Sequence, residues 1–204
     1  DNWMYNSKST RKLAWRQGKL IEQPATARGQ WGMATDAYGR LYYNSNSVWF
    51  EADWEMYDHQ WPRKGTKARA PTKQVFAIRP NTALNRNYRP GHILEDGRVA
   101  RVTTISGLAV HSHGAYGDEW EGAIFSMSPG TNTVGAFVPA KSFPRADHYV
   151  HKLYPDAIWE KREFLASTDE RFRPVNASIG PDGCLYVVDF YRGVIQHKRF
   201  LTSY

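Results

Sequence analysis

The chain has almost no cysteine: one, Cys184, in 204 residues. That excludes an intrachain disulfide, a cysteine-based zinc site and the paired-cysteine attachment of a covalent haem. Long hydrophobic runs are missing as well. No stretch approaches the ~18 apolar residues of a membrane helix. The opening Asp1-Asn2-Trp3-Met4-Tyr5 lacks the basic start and apolar run of a signal peptide, so export would need a leader already removed. Sustained helical periodicity is also scarce. Gly, Pro, Asn and Asp interrupt the chain often, and only 154–165, where Pro155 can open a helix, reads as a short helical candidate.

Acidic residues are the minority charge, 20 Asp and Glu against 27 Lys and Arg, for a net charge of +7. Nucleic acid is nevertheless not the implied partner. The densest basic cluster, Arg63-Lys64-Gly65-Thr66-Lys67-Ala68-Arg69, sits between Pro62 and Pro71 and reads as a solvated loop, not a recognition helix. An anionic ligand or acidic partner fits the excess better.

Aromatics are abundant: 8 Trp, 12 Tyr and 9 Phe, or 14% of the chain. Large rings suit a half-buried pleated surface. Short apolar runs lie between turn signals and have the length of single strands. They are Val75-Phe76-Ala77-Ile78, Leu108-Ala109-Val110, Ala123-Ile124-Phe125-Ser126-Met127 and Leu185-Tyr186-Val187-Val188. Cys184 opens the last of these runs and reads as a buried, inert thiol. The composition predicts an all-β chain.

A faint repeat sharpens that expectation. Gly39-Arg40-Leu41-Tyr42 matches Gly183-Cys184-Leu185-Tyr186, and Asn2-Trp3-Met4-Tyr5 fits as a third copy, Asn being the other residue that tolerates left-handed turn geometry. Glu95-Asp96-Gly97-Arg98-Val99 is a looser fourth. A period of roughly 36 to 48 residues is that of β-propeller blades, which cannot stand alone. At ~45 residues each, the chain holds about four and a half blades. The expected fold is therefore a β-propeller of four-stranded antiparallel blades, with 1–204 a single domain forming an incomplete or fragmentary ring that is part of a longer chain or assembly.

The C-terminal third carries a more specific likeness. The run Glu163-Phe164-Leu165-Ala166-Ser167-Thr168-Asp169-Glu170-Arg171-Phe172-Arg173-Pro174-Val175, then Gly180-Pro181-Asp182-Gly183, Leu185-Tyr186-Val187-Val188-Asp189 and Tyr191-Arg192-Gly193-Val194-Ile195-Gln196-His197, resembles the membrane-bound dehydrogenases of planctomycetes and their relatives. Arg28-Gly29-Gln30-Trp31-Gly32 and Asn85-Arg86-Asn87-Tyr88 extend the likeness over most of the chain, with departures at 110–114 and 127–133. These are propeller proteins similar to soluble glucose and sorbosone dehydrogenases, often fused to a cytochrome c module. The resemblance implies oxidation of a sugar or alcohol outside the cytoplasm, in the periplasm or an equivalent compartment, with electrons passing to a cytochrome. It also implies pyrroloquinoline quinone (PQQ) and calcium as cofactors.

Such a protein would need basic residues for the quinone carboxylates, oxygen ligands for calcium and a base for the substrate hydroxyl. Arg28 with Gln30, and Arg173 with Asn176, precede strand-like segments, where a propeller points residues at its central channel. Arg28 and Arg173 read either as anion clamps or as partners of carboxylates such as Asp36, Asp169 or Asp189. Asp189 could ligate calcium, orient Arg192, a further cofactor-binding candidate, or cap its turn. His197 reads as the base or as a structural histidine. His111 and His113, one residue apart, would share a strand face and suit a common metal. The rival reading is a non-catalytic platform for carbohydrate or a partner subunit, with Trp49, Trp54 and Trp61 as anchors or as a satellite core.

Overall fold

Alternating short strands and tight turns fold this chain into antiparallel sheets. The computed structural model describes residues 3–6, 8–25, 29–54, 57–58, 61–62, 66–78, 100–112, 115–141, 148–157, 160–193 and 195. Among them there is no α-helix, and so none able to cross a membrane. The first sheet joins β1 (Met4–Tyr5), β2 (Arg11–Arg16) and β3 (Lys19–Pro24). Its hairpin turns at Gln17 and Gly18, whose positive φ values of 49° and 72° are those of a two-residue turn matched to strand twist. In the second sheet, β4 (Met33–Thr35), β5 (Leu41–Ser45) and β6 (Val48–Trp54) run into a small hairpin of β7 (Tyr57–Asp58) and β8 (Trp61–Pro62). Then β9 (Thr66–Arg69) returns to pair with β6.

The third sheet orders β10 (Leu108–Val110), β11 (Ile124–Ser128), β12 (Thr133–Pro139) and β13 (Tyr149–Lys152). A small hairpin follows, β14 (Tyr154–Asp156) with β15 (Glu160–Arg162), and β16 (Leu165–Ala166) pairs with the start of β12. The last sheet is β17 (Pro174–Ile179) with β18 (Leu185–Asp189). The four-stranded antiparallel meander expected from the sequence thus occurs twice, in the second and third sheets.

Two apolar layers bind these sheets face to face. One places Tyr42, Trp49 and Phe50 of the second sheet against Leu108, Ile124 and Phe137 of the third. The other places Phe125, Met127 and Ala136 on the opposite face of the third sheet, against Ala177, Ile179, Leu185 and Val187 of the last. The third sheet is the middle of a stack, so β11 is buried along its whole length and its alternate residues feed the two layers. Each of Trp49, Phe50, Phe125 and Phe137 is 0% exposed, and burial of such a side chain contributes about 1.5–3 kcal/mol. Trp49 lies so close over β12 that a Cβ on Gly135 would stand 2.9 Å from its ring.

The repeat seen in the sequence is real in three dimensions. Gly39 and Gly183 have φ of 73° and 77°, donate to the carbonyls of Asp36 and Gly180, and join the first two strands of their sheets. Asp36 N–H bonds Arg40 O, and Gly180 N–H bonds Cys184 O, in the same arrangement. A third copy is hidden in the sequence. Gly122, at φ 75°, donates to His111 O while His111 N–H bonds Ala123 O, so Gly122-Ala123-Ile124-Phe125 is equivalent to Gly39-Arg40-Leu41-Tyr42. There an insertion carries the chain out to a 3-10 turn at Asp118–Trp120 and separates the two halves of the motif. Met4-Tyr5 forms β1, the first strand of its sheet, whereas Leu41 and Leu185 open second strands; Asn2 and 95–99 lie outside the described residues.

Four local expectations are corrected. The helix proposed for 154–165 is instead the β14–β15 hairpin followed by β16. Tyr154, Pro155 and Asp156 find ladder partners in Arg162, Lys161 and Glu160, which outweighs the weak helical pattern. Thr66–Arg69 of the basic cluster is no loop but the fourth strand of its sheet, with Ala68 buried and Arg69 Nε 3.1 Å from Glu51 Oε1. Residues 75–78 join no ladder, although Val75 and Ala77 are buried. Phe76 is held by Glu163, whose Oε1 accepts its N–H at 2.9 Å and whose own N–H donates to Phe76 O. Cys184 is exposed, because it lies in the turn before β18 and not within the strand.

Candidate functional site

Among the described residues, the strand that begins each of the last three sheets, β4, β10 or β17, is also the end strand of that sheet. β10 packs against both β4 and β17. Together they frame a cavity of about 710 Å³, bordered by residues 33–37, by 108–110 with Ser112, and by 176–181. That volume lies within the ~300–1,000 Å³ of small-molecule sites. The polar side chains on its wall are Thr35, Asp36, Ser112, Asn176 and Ser178, set among alanines and short aliphatics.

Asp36 is the one carboxylate there, and its oxygens are fully engaged. Oδ1 accepts the N–H groups of Tyr38 and Arg40 at 2.9 and 3.0 Å. Oδ2 accepts Arg40 Nε at 2.5 Å and the Tyr42 hydroxyl at 3.1 Å. Two oxygens offer about four acceptor positions, and all four are in use. Tyr42 also meets the Tyr149 hydroxyl at 3.1 Å, tying this turn to β13 of the neighbouring sheet. Burial above all, then the Tyr149 hydroxyl and the Asp36 carboxylate, push the Tyr42 hydroxyl far above the ordinary tyrosine range; burial raises Tyr149 too. The network fixes the turn beside the cavity, and Asp36 brings no unpaired carboxylate oxygen to the wall.

Of the residues expected to form a site, Asn176 alone among the described ones lines this cavity. Its Oδ1 accepts Ala177 N–H at 2.9 Å, and Gly107 lies so near that a Cβ there would clash with it. Arg173, Asp189 and Arg192 do come together, at the opposite end of β17. Arg173 is 1% exposed. Its Nε donates to Arg192 O at 2.8 Å and its Nη1 to Pro129 O at 2.9 Å, while Nη2 donates to Gly193 O. Burial pulls this guanidinium below its ordinary value, against the opposing pull of Glu170, Asp169 and Asp189. Asp189 Oδ1 accepts the N–H groups of Arg173 and Tyr191, both at 2.8 Å, which is the turn-capping role among its alternatives. The Arg192 guanidinium lies over the Phe190 ring, 5.8 Å from its centroid.

Gln30 sits apart, its Oε1 accepting Asn46 N–H at 3.0 Å in the turn between β5 and β6. His111 is fully buried and faces Tyr116, ring centroids 5.1 Å apart, although its neighbours Val110 and Ser112 border the cavity. Arg28, His113 and His197 lie outside the described residues. Trp49 belongs to the core, and the side chains of Trp54 and Trp61 lie outside the described ones.

The quinone and calcium implied by the resemblance can be tested against this wall. Among the described residues it carries no Lys or Arg for the quinone carboxylates, and Asp36 is saturated. No cluster of three or more His, Cys, Asp or Glu gathers for a metal among them. These residues do not fit that pair of cofactors.

Sequence reasoning missed Thr35, Ser112 and Ser178. Their signal was position, each lying a few residues from a repeat turn. The insertion after β10 concealed that turn for Ser112. This insertion also reaches across to the last sheet, where the Tyr116 hydroxyl accepts Leu185 N–H at 3.0 Å and Ala115 sits where a Gly183 side chain would project.

Two solved structures show partial likeness. The soluble aldose sugar dehydrogenase (Asd) from Escherichia coli, in its apo-form, is 16% identical, with a TM-score of 0.37, over 85% of this chain and 51% of its own. A glucose dehydrogenase is 16% identical, with a TM-score of 0.38, over 86% and 52%. The chain spans about half the length of each. No curated protein matches it in sequence. The match that spans almost every residue, 2–204, is to the family described as Domain of unknown function (DUF7133), and the chain belongs to that family.

Proposed function

We propose that the chain is part of a β-propeller in which the stacked sheets are blades, and that the cavity framed by β4, β10 and β17 is a central ligand site for a sugar or an alcohol. The observation that carries this reading is convergence: the end strands of three separate sheets meet around one cavity. In such rings, side chains distant in sequence converge where ligands bind. The turn shared by the three sheets supports treating them as repeats of one unit. The ring would be completed by the rest of a longer chain or by a partner subunit.

In the dehydrogenase form of this reading, the ligand is oxidised outside the cytoplasm and electrons pass to a cytochrome c. The quinone carboxylates would then call on Arg28, a metal on His113, and the substrate hydroxyl proton on His197 as base. In the binding form, the cavity holds its ligand without turnover, and the lack of a basic side chain on the described wall favours this version. One experiment separates them: sugar- and alcohol-dependent dye reduction, with and without added PQQ and Ca²⁺, beside a binding titration of the same compounds. Turnover supports the dehydrogenase and binding alone supports the platform. Neither binding nor turnover refutes both.

A further inference from the structure

The cavity wall has a feature that decides what it can hold. Every residue from 33 to 37, from 108 to 110 and from 176 to 181 borders it. A strand that met the cavity with one of its faces would contribute alternate residues, because side chains alternate across the pleat. Unbroken runs mean that the cavity meets the strand edges. β4, β10 and β17 are each the end strand of their sheet, ladder-bonded to β5, β11 and β18 on the other side.

A strand edge presents N–H and C=O groups in alternation. The edges of β4 and β17 offer donors and acceptors, with the hydroxyls of Thr35, Ser112 and Ser178 and the amide of Asn176 set among them, while β10, buried along its length, packs between the two. Hydroxyl groups both donate and accept, so they match this lining. An anion only accepts, and would lie against carbonyl oxygens with no ionised donor on the described wall.

We infer that the cavity takes an uncharged, polyhydroxylated ligand directly against the backbone edges of β4 and β17, and turns away anions, the quinone included. This rests on reading the cavity as a ligand site. The ligand's hydroxyl-bearing rim would run along the edges, with Asn176 and Ser178 contributing side-chain hydrogen bonds. Asp36 acts on it only through the turn that it holds.

The test is calorimetric titration of the 204-residue chain with glucose, with gluconate as its charged counterpart, and with PQQ in the presence of Ca²⁺. Glucose should bind and gluconate should bind at least about tenfold more weakly, in keeping with an unpartnered buried charge. PQQ should give no saturable heat. Asn176→Ala and Ser178→Ala should each weaken glucose about fivefold, the loss of one hydrogen bond. Both side chains are exposed, so Ser178→Ala should melt as the parent does, and Asn176→Ala slightly below it for the lost bond to Ala177 N–H. Gluconate or PQQ binding as tightly as glucose would overturn the inference and leave the cavity reading in place. Glucose binding that ignores both substitutions would put the ligand elsewhere and overturn the inference too. No binding by any of the three would remove the cavity reading and the inference together.

Discussion

Replacing Arg173 by Met separates a structural guanidinium from a ligand clamp. The side chain is 1% exposed and donates to Pro129 O, Arg192 O and Gly193 O. Pro129 is buried, whereas Arg192 and Gly193 are exposed. Without the guanidinium, water can reach the latter two carbonyls but not the first. The dry carbonyl costs about 1–3 kcal/mol, and each charge-assisted bond exchanged for water costs about 1 kcal/mol more. The sum is about 3–5 kcal/mol, as for breaking other buried charged contacts. In a chain of this size it should lower the melting temperature by about 6–20 °C. Arg173→Lys should lose most of the same amount, since one ammonium cannot span three carbonyls on separate stretches of chain. Urea unfolding monitored by tryptophan fluorescence reads the change, with an unaltered m-value showing that the two end states are the same. A loss under about 1 kcal/mol, combined with abolished ligand binding, would refute the reasoning and return Arg173 to the role of anion clamp.

Three further outcomes are expected. Gly39→Ala should cost about 1 kcal/mol for its positive φ alone, because nothing stands within 4 Å of the new Cβ. Gly183→Ala should cost about 1–3 kcal/mol more, because the Ala115 Cβ would lie 2.4 Å away, and thermal melts of the pair measure the difference. Tyr42 and Tyr149 stay protonated in the folded chain above their ordinary value of 10.0. The unfolded chain then binds fewer protons, so their contribution is full below pH 10 and is lost as pH rises above it. The slope should be about 1.4 kcal/mol per pH unit for each group, and Tyr149→Phe should flatten it in urea titrations between pH 9 and 11. Cys184 should label fully with a maleimide in the native state. Asp182, whose hydrogen bond and charge raise the thiol, should slow the reaction, so Asp182→Asn should label faster at pH 8; protection of the native thiol would refute its exposure.

The sequence by itself determined what depends on near neighbours. Turn chemistry at Gly39 and Gly183 is written into single residues, and the apolar runs at Leu108–Val110, Ile124–Ser128 and Leu185–Asp189 formed strands, whereas the like run at 75–78 joined no ladder. The third copy of the turn escaped notice because the insertion after His111 broke its spacing, although the φ of Gly122 matches the others. Tertiary structure alone decided where the long polar side chains point. Arg173 and Asp189, read as candidate site residues, and Asp36, read as a carboxylate partner, have hydrogen-bond networks supplied or extended by neighbours remote in sequence, Pro129 and Tyr149 among them. Within 154–165 only β16 takes its partner from far along the chain, in β12, whereas the β14–β15 hairpin closes on itself. Backbone torsions are local and can be read along a chain. The partner of a buried charge is a fact of packing, and it exists only after the sheets have stacked.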